Sequence, residues 1–109
     1  MRKTYIGELE EVILLTVVIL QEGAYGVAIA LHMEQELNRK LSHSAVHATL
    51  HRLSEKGYVD SFMGGATAER GGRRKRYFKV TTAGSRILNE IQDARKMLWS
   101  QIPPNALAT

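Results

Sequence analysis

The residues with the clearest capacity for chemistry form a dense basic run in the second half of the chain. Six of the ten residues from Arg70 to Lys79 are arginine or lysine, and a pair of glycines lies within the run. Guanidinium groups pair with phosphate oxygens through two parallel hydrogen bonds and also fit narrow minor grooves. Glycine lets a backbone approach its ligand closely. The run therefore predicts a nucleic-acid contact, made by Arg73, Arg74, Lys75 and Arg76.

A second candidate contact lies on a predicted helix that precedes the basic run. Ser44, His47 and His51 share the helix face opposite its apolar stripe. No acidic residue occurs from residue 39 to residue 54, whereas an ordinary solvated face would carry one or two. Small and polar side chains suit a helix that enters the major groove of DNA, because acidic or bulky ones would hold it away.

The three histidines His43, His47 and His51 are spaced four residues apart, so they form a row along this helix. Two histidines at this spacing can bind zinc, but a site needs a third or fourth ligand from elsewhere. His43 and His51 lie too far apart along a helix to share one ion. We therefore expect no metal site here, and expect the imidazoles to meet phosphates or base edges.

The sequence lacks the motifs of an enzyme. Neither glycine pair precedes the lysine and hydroxyl of a nucleotide-binding loop, and there is no Gly-x-Ser-x-Gly turn and no cysteine. Glu8, Glu10 and Glu11 could supply paired carboxylates, but acidic residues in a first helical turn are explained by the helix dipole. We predict neither catalysis nor a bound cofactor.

Length and charge indicate one folded domain with a polyanionic partner. The 109 residues carry a formal net charge of +4, yet residues 39–79 hold ten basic and only three acidic residues. A basic segment of this kind favours nucleic acid as a partner. The longest apolar run, Val12 to Leu20, is far shorter than the roughly 20 residues of a membrane span. Without cysteines or a signal peptide, a cytoplasmic protein without a membrane partner is expected.

Periodicity and turn signals predict four helices and two strands. Gly23, Asn38, Gly57 and the Pro103-Pro104 pair mark the helix ends, and Ser42 and Thr81 or Thr82 are candidate N-caps. The predicted helices are Gly7–Gln21, Tyr25–Leu37, Ser42–Lys56 and a last one that begins at Thr81 or Thr82 and ends before Pro103. The predicted strands are Tyr58–Phe62 and Arg76–Val80, around a protruding loop.

This order predicts a mainly α fold with a small β-hairpin, a winged helix-turn-helix. Residues 1–80 would form the DNA-binding domain, residues 81–102 a C-terminal dimerisation helix, and residues 103–109 a frayed tail. In the second helix, helical spacing predicts an apolar face of Val27, Ala30, Leu31 and Leu37.

The first and last helices carry more apolar surface than one small core can cover, which favours a homodimer. The residues that we expect in its interface are Val17, Ile91, Ala94, Leu98 and Trp99. Trp99, the only tryptophan, has two interpretations. It is either a packing residue of that interface or an aromatic wall of a small-molecule pocket between subunits.

Three stretches together resemble the PadR-like transcriptional regulators. They are Ala24-Tyr25-Gly26-Val27, the run SHSAVHATLHRLSEKGYV of residues 42–59, and the run ERGGRRKRYFKVTTAG of residues 69–84. The resemblance extends from about residue 7 to residue 99 and is specific in combination: Tyr-Gly opens the second helix, Leu-x-Arg-Leu-x-x-x-Gly ends the third, and the basic wing precedes Thr-x-x-Gly.

The resemblance implies a winged helix-turn-helix repressor that binds operator DNA as a homodimer through its C-terminal helix, in the short form of the family. Ser44, His47 and His51 would then lie on the DNA face of the recognition helix, and residues 73–76 in the wing. His47 departs from the family, which commonly has tyrosine there. Family members respond to phenolic acids, drugs or other planar ligands, so a small aromatic effector is implied.

Two other functions agree with the residues alone. A basic adaptor could bind RNA or an acidic protein through the wing, and a ligand sensor could carry an incidental basic hairpin. Preference for RNA over duplex DNA would favour the first. A change in Trp99 fluorescence with ligand, in a protein that does not bind DNA, would favour the second.

Overall fold

The computed structural model describes residues 6–64 and 74–108, and these contain four α-helices and one antiparallel hairpin. The element bounds are α1 (Glu8–Leu20), a 3-10 turn (Gln21–Gly23), α2 (Gly26–Leu37), α3 (His43–Glu55), β1 (Val59–Gly64), β2 (Lys75–Val80) and α4 (Thr82–Ser100). The predicted winged helix-turn-helix order is confirmed, with α2 and α3 as the helix-turn-helix and the hairpin as the wing.

Local capping chemistry explains where the helices begin and end. The Ser42 hydroxyl accepts a hydrogen bond from the Ala45 N–H at 3.1 Å, and the Thr81 hydroxyl accepts one from the Gly84 N–H at 3.0 Å. Asn38 ends α2 in the left-handed conformation, with φ 53° and ψ 42°. These three predictions from the sequence are confirmed, because a cap depends on neighbours that the sequence already shows.

The core lies where α1, α2 and α3 meet the base of the hairpin. Val46, Leu50 and Leu53 on one side of α3 are at most 1% exposed, as their helical spacing predicts. Tyr58, Val59 and Phe78 close the core from the hairpin, while α1 contributes Ile13, Leu14 and Val17, and α2 contributes Ile29 and Met33. Helix α3 is therefore held against the rest of the domain by its own apolar face.

The inner face of α2 differs from the predicted one. Ile29 and Met33 are fully buried, whereas Val27, Leu31 and Leu37 are each about half exposed. Both sets have helical spacing, so periodicity alone did not identify the face that meets α1 and α3. Packing against two other helices decides between them. Ala30 of the predicted face packs against the core, but the prediction is wrong for Val27, Leu31 and Leu37.

The prediction that Val17 belongs to a dimer interface is wrong as well. Its side chain is 2% exposed in the single chain and belongs to the core, so it has almost no surface to offer to a second subunit. On α4 the situation is the reverse: Gly84 is the one buried residue in that helix. Ile91 is half-buried, and Ala94, Leu98 and Trp99 are exposed.

The hairpin pairs Val59 with Val80 at its base and Gly64 with Lys75 at its far end. Each strand is slightly longer than predicted, and the residues of the predicted loop from 65 to 73 lie outside the described part of the chain. Gly84 fixes where α4 leaves the hairpin, because a Cβ at this position would collide with the Tyr58 carbonyl oxygen. Among the described helices, none combines the length and apolarity that crossing a membrane requires.

Candidate nucleic-acid interface

The outward face of α3 carries the side chains that the sequence singled out. Ser44, His47 and His51 are all exposed, on the side opposite the buried stripe. The His43 and His47 rings stack with centroids 6.0 Å apart and planes inclined by 14°. His51 Nε2 lies 3.3 Å from the Glu55 carboxylate one turn later. The row therefore divides into a stacked pair and one imidazole beside a carboxylate.

Gly26 explains why His47 can lie against the start of α2. A Cβ on Gly26 would stand 3.0 Å from His47 Nε2, which is closer than side chains normally approach. Glycine at this position therefore makes room for the imidazole between α3 and the N-terminus of α2. The lack of a side chain at Gly26 thus leaves space for the position that the His47 ring occupies.

The wing meets the same end of α2 through aromatic contacts. The Tyr25 and Tyr77 rings pack edge to face at 5.4 Å, and the Phe78 N–H donates to the Ala24 carbonyl at 2.8 Å. Lys75 Nζ lies 4.3 Å from the centre of the Tyr25 ring, which is a cation–π distance. The start of α2 therefore lies between His47 of α3 and Lys75 of the wing.

The basic wing residues have different surroundings. Arg74 is exposed. Arg76 is also exposed, and its guanidinium donates to the Ser61 hydroxyl at 3.0 Å, across the hairpin on the face that carries Phe78. Arg73 lies outside the described residues. Arg76 therefore lies on the Phe78 face of β2, and Lys75, one residue earlier, lies on the opposite face beside Tyr25.

Within the described part of the chain, no three histidine, aspartate or glutamate side chains converge on a point that could hold an ion. The side chains on the face formed by α3 and the wing offer hydrogen bonding, imidazole contacts and pairing of cations with phosphate.

Sequence reasoning missed the partners of the acidic first turn of α1. Glu8 accepts two hydrogen bonds from Arg39, at 2.7 and 2.9 Å. Glu11 pairs with Arg95 of α4 at 2.8 Å. Both glutamates lie far from their partners in sequence, so no local signal connects them. Their role includes joining α1 to the helix-turn-helix and to α4, beyond the favourable charge at a helix N-terminus.

Glu10 lies in the same turn but is buried, and its carboxylate contacts the C-terminal end of α3. Its two carboxylate oxygens each lie 3.0 Å from Lys56 Nζ, and Arg52 Nε lies 3.5 Å away. Burial by itself raises the pKa of Glu10. Hydrogen bonds from the Gly7 N–H and Lys56, together with the charges of Lys56 and Arg52, outweigh burial and hold this pKa below its ordinary value.

Two open grooves lie away from the α3 face. The larger, of about 830 Å³, runs between the end of α1 and the hairpin, with Phe62 and Tyr77 on one wall. The smaller, of about 360 Å³, lies between α1 and α4. Trp99 lines neither groove. Its role in a ligand pocket therefore stays a prediction.

Comparison with known proteins decides the family. Residues 14–90 match the family described as the transcriptional regulator PadR-like family. The chain belongs to the PadR-like family of transcriptional regulators. The match extends from the middle of α1 to the middle of α4, and so includes the helix-turn-helix and the wing. It confirms the resemblance seen in the sequence and the prediction of a regulator instead of an enzyme.

Solved structures of PadR-like proteins share the fold at low sequence identity. A PadR-like transcription factor from Bacteroides fragilis is 23% identical, with a TM-score of 0.71 over 86% of this chain and 85% of its own. A PadR-like transcriptional regulator from Bacillus cereus is 20% identical, with a TM-score of 0.68 over 86% of each chain.

Bacillus subtilis PadR, solved in complex with operator DNA, is 20% identical, with a TM-score of 0.63 over 78% of this chain and 46% of its own. The remaining part of that longer chain has no counterpart in the superposition. Among curated proteins, none matches this sequence.

Proposed function

We propose that this PadR-like protein is a sequence-specific DNA-binding repressor that acts as a homodimer. The observation that carries the proposal is the continuous face made by α3, the start of α2 and the wing. The His47 ring lies beside Gly26, where a Cβ would stand 3.0 Å from Nε2, and Lys75 lies over Tyr25, so α3 and the wing both adjoin the start of α2. The operator complex of Bacillus subtilis PadR supports DNA as the ligand.

Helix α3 and the wing would contact different parts of the DNA. Ser44, His47 and His51 are short enough for the helix backbone to enter the major groove, where they would read base edges. Arg73, Arg74, Lys75 and Arg76 would contact phosphate or the minor groove, which fixes register and adds affinity without much sequence information. Base reading and backbone binding would therefore reside in different residues.

The homodimer is supported by the surface of α4. Leu98 and Trp99 are 63% and 65% exposed, and Ile91 and Ala94 lie along the same stripe. Pairing of α4 with its copy, aided by α1, would cover this stripe. A two-fold dimer would place its recognition helices in successive major grooves about 34 Å apart, so the operator would be near-palindromic.

The domain division follows from this assignment. Residues 1–80 form the DNA-binding unit, residues 81–102 the dimerisation helix and residues 103–109 a tail. Trp99 would lie at the subunit boundary, where its ring offers a flat apolar surface. A small planar effector that binds there and releases the operator completes the proposal.

Two substitutions test whether α3 reads bases and the wing binds the DNA backbone. The probes are an operator duplex, enriched by the wild-type protein from a random-sequence library, and a scrambled duplex of the same composition. We expect His47→Ala to weaken operator binding about tenfold and to leave scrambled binding nearly unchanged, because a base contact is lost. We expect Arg74→Ala to weaken both alike and to reduce the salt slope by about one.

Lys96→Ala is the matched control, because it removes the same charge from an exposed position on α4 outside the apolar stripe. Affinities come from fluorescence anisotropy at several salt concentrations. If His47→Ala weakens both duplexes equally, the base-reading role of α3 is wrong. If Arg74→Ala behaves like Lys96→Ala, Arg74 lies outside the interface.

A further inference from the structure

One carboxylate beneath the recognition helix has a role that the helix dipole does not explain. The Glu10 side chain is only 8% exposed, although a glutamate in a first turn could satisfy the dipole from the surface. It accepts a hydrogen bond from the Gly7 N–H at 2.7 Å and both oxygens contact Lys56. Burial of a charge is costly without such partners, so its position needs a reason.

The partners of Glu10 all belong to one end of α3 or to its own helix. Arg52 lies in the last turn of α3, and Lys56 is the residue that caps its C-terminus. Glu8 and Glu11, by contrast, pair with cations on the turn between α2 and α3 and on α4. Glu10 is thus the first-turn carboxylate that holds the recognition helix itself.

This arrangement has two consequences for DNA binding. A buried carboxylate between two cations fixes the end of a helix in angle and position, because any shift would leave a charge without its partner. The same carboxylate occupies Lys56 and Arg52, whose positive charges would otherwise add attraction to any DNA backbone. Both effects favour discrimination between DNA sequences over affinity for DNA in general.

We propose that Glu10 is a positioning residue that determines operator specificity, by anchoring the C-terminal end of α3 and by withholding Lys56 and Arg52 from phosphate. The inference rests on the proposed function, since it presupposes that α3 reads DNA. It assigns specificity to a residue that lies beneath the recognition helix and touches no base.

The test compares Glu10→Gln with Glu11→Gln on the operator and scrambled duplexes. Both variants remove one negative charge from the same helix, but the partner of Glu11 is Arg95 on α4. For Glu10→Gln we expect the ratio of operator to scrambled affinity to fall about tenfold. We also expect the salt slope on scrambled DNA to steepen by about one, because a cation is released for phosphate. Glu11→Gln should retain the wild-type ratio.

Lys56→Met provides a second approach that leaves the buried carboxylate in place. In this variant Glu10 keeps the Gly7 N–H and Arg52 as partners, and Lys56 itself is 30% exposed. The fold should therefore tolerate the change, which circular dichroism checks, even if Glu10→Gln is unfolded. We expect weaker operator binding with an unchanged salt slope, because the charge of Lys56 is directed at Glu10. A slope reduced by about one on both duplexes would show that Lys56 itself contacts phosphate, and would overturn the proposal.

The wild-type protein separates the two possible failures. If it binds operator, scrambled duplex and every other duplex alike, the proposed function is wrong, and the role of Glu10 is wrong with it. If the wild-type protein discriminates and a folded Glu10→Gln discriminates equally well, only the inference about Glu10 is overturned.

Discussion

Helices α3 and α4 are both amphipathic, but they use their apolar faces differently. In α3 the stripe of Val46, Leu50 and Leu53 is at most 1% exposed within the single chain. In α4 the corresponding surface remains open, with Leu98 63% and Trp99 65% exposed. The apolar face of α3 is covered by the chain's own core, whereas the end of the α4 stripe stays uncovered, which is why we propose it as the surface that meets a partner.

Two apolar stripes that look alike in a sequence can have different roles in the folded protein. A stripe at helical spacing shows that a helix must cover one face, but not what covers it. The two roles can be distinguished only in the folded chain, where one stripe is buried in the core and the other is still exposed. If the two stripes differ in this way, substitutions in the α3 stripe should change stability and substitutions in the α4 stripe should change assembly.

The largest effect is expected from the α3 stripe. Leu50→Ala should lower the free energy of unfolding by about 3 kcal/mol, because the cavity beneath α3 cannot collapse fully. Leu37→Ala is the matched control, since Leu37 is 52% exposed on α2, and it should cost less than about 1 kcal/mol. Urea unfolding measures both. Equal losses in the two variants would contradict the assignment of the core.

A charge on the α4 stripe should abolish assembly with little effect on the fold. Leu98→Glu would place a carboxylate in the proposed interface and should raise the dimer dissociation constant by about 100-fold or more. Leu107→Glu in the tail, where Leu107 is 58% exposed, should sediment like the wild-type protein.

Sedimentation velocity at micromolar concentration distinguishes the two variants. The account requires a dimer for the wild-type protein and for Leu107→Glu, and a monomer for Leu98→Glu. A wild-type protein that sediments as a monomer would mean that the exposed α4 stripe has another purpose.

The smallest expected effect is on how the free energy of unfolding falls as the pH is lowered. Because the pKa of Glu10 is held below its ordinary value in the folded chain, its contribution to stability is present above the unfolded pKa. It is lost as pH falls through the folded pKa. Glu10→Gln should therefore lose less stability than the wild-type protein on acidification. Urea unfolding at neutral and acidic pH measures this, and parallel losses would contradict the shifted pKa.

The sequence predicted most of the fold because its signals are local. Ser42, Asn38 and Thr81 act through residues three or four positions away, so their caps can be read directly. The wing alternation that separates Arg76 from Lys75 is equally local. The core face of α2 was not predictable, because two stripes had helical spacing and tertiary packing chose Ile29 and Met33.

The candidate site was predicted as a set of residues but not as a surface. Nothing near His47 in the sequence shows that its ring fits over Gly26, and nothing near Lys75 shows its contact with Tyr25. Glu10 and Lys56 are 46 positions apart in the sequence, so their ion pair likewise has no local signal. Val17 has the apolar character of an interface residue, and only its burial in the chain's own core excludes it.

The most direct test of DNA recognition is a titration of the wild-type protein into three labelled probes at near-physiological salt. The probes are the operator duplex, the scrambled duplex and an RNA that matches the operator. The account predicts tight binding to the operator duplex and weak binding to the other two. Equal and strongly salt-dependent binding to all three would contradict it, because the α3 face would then be only part of a basic patch.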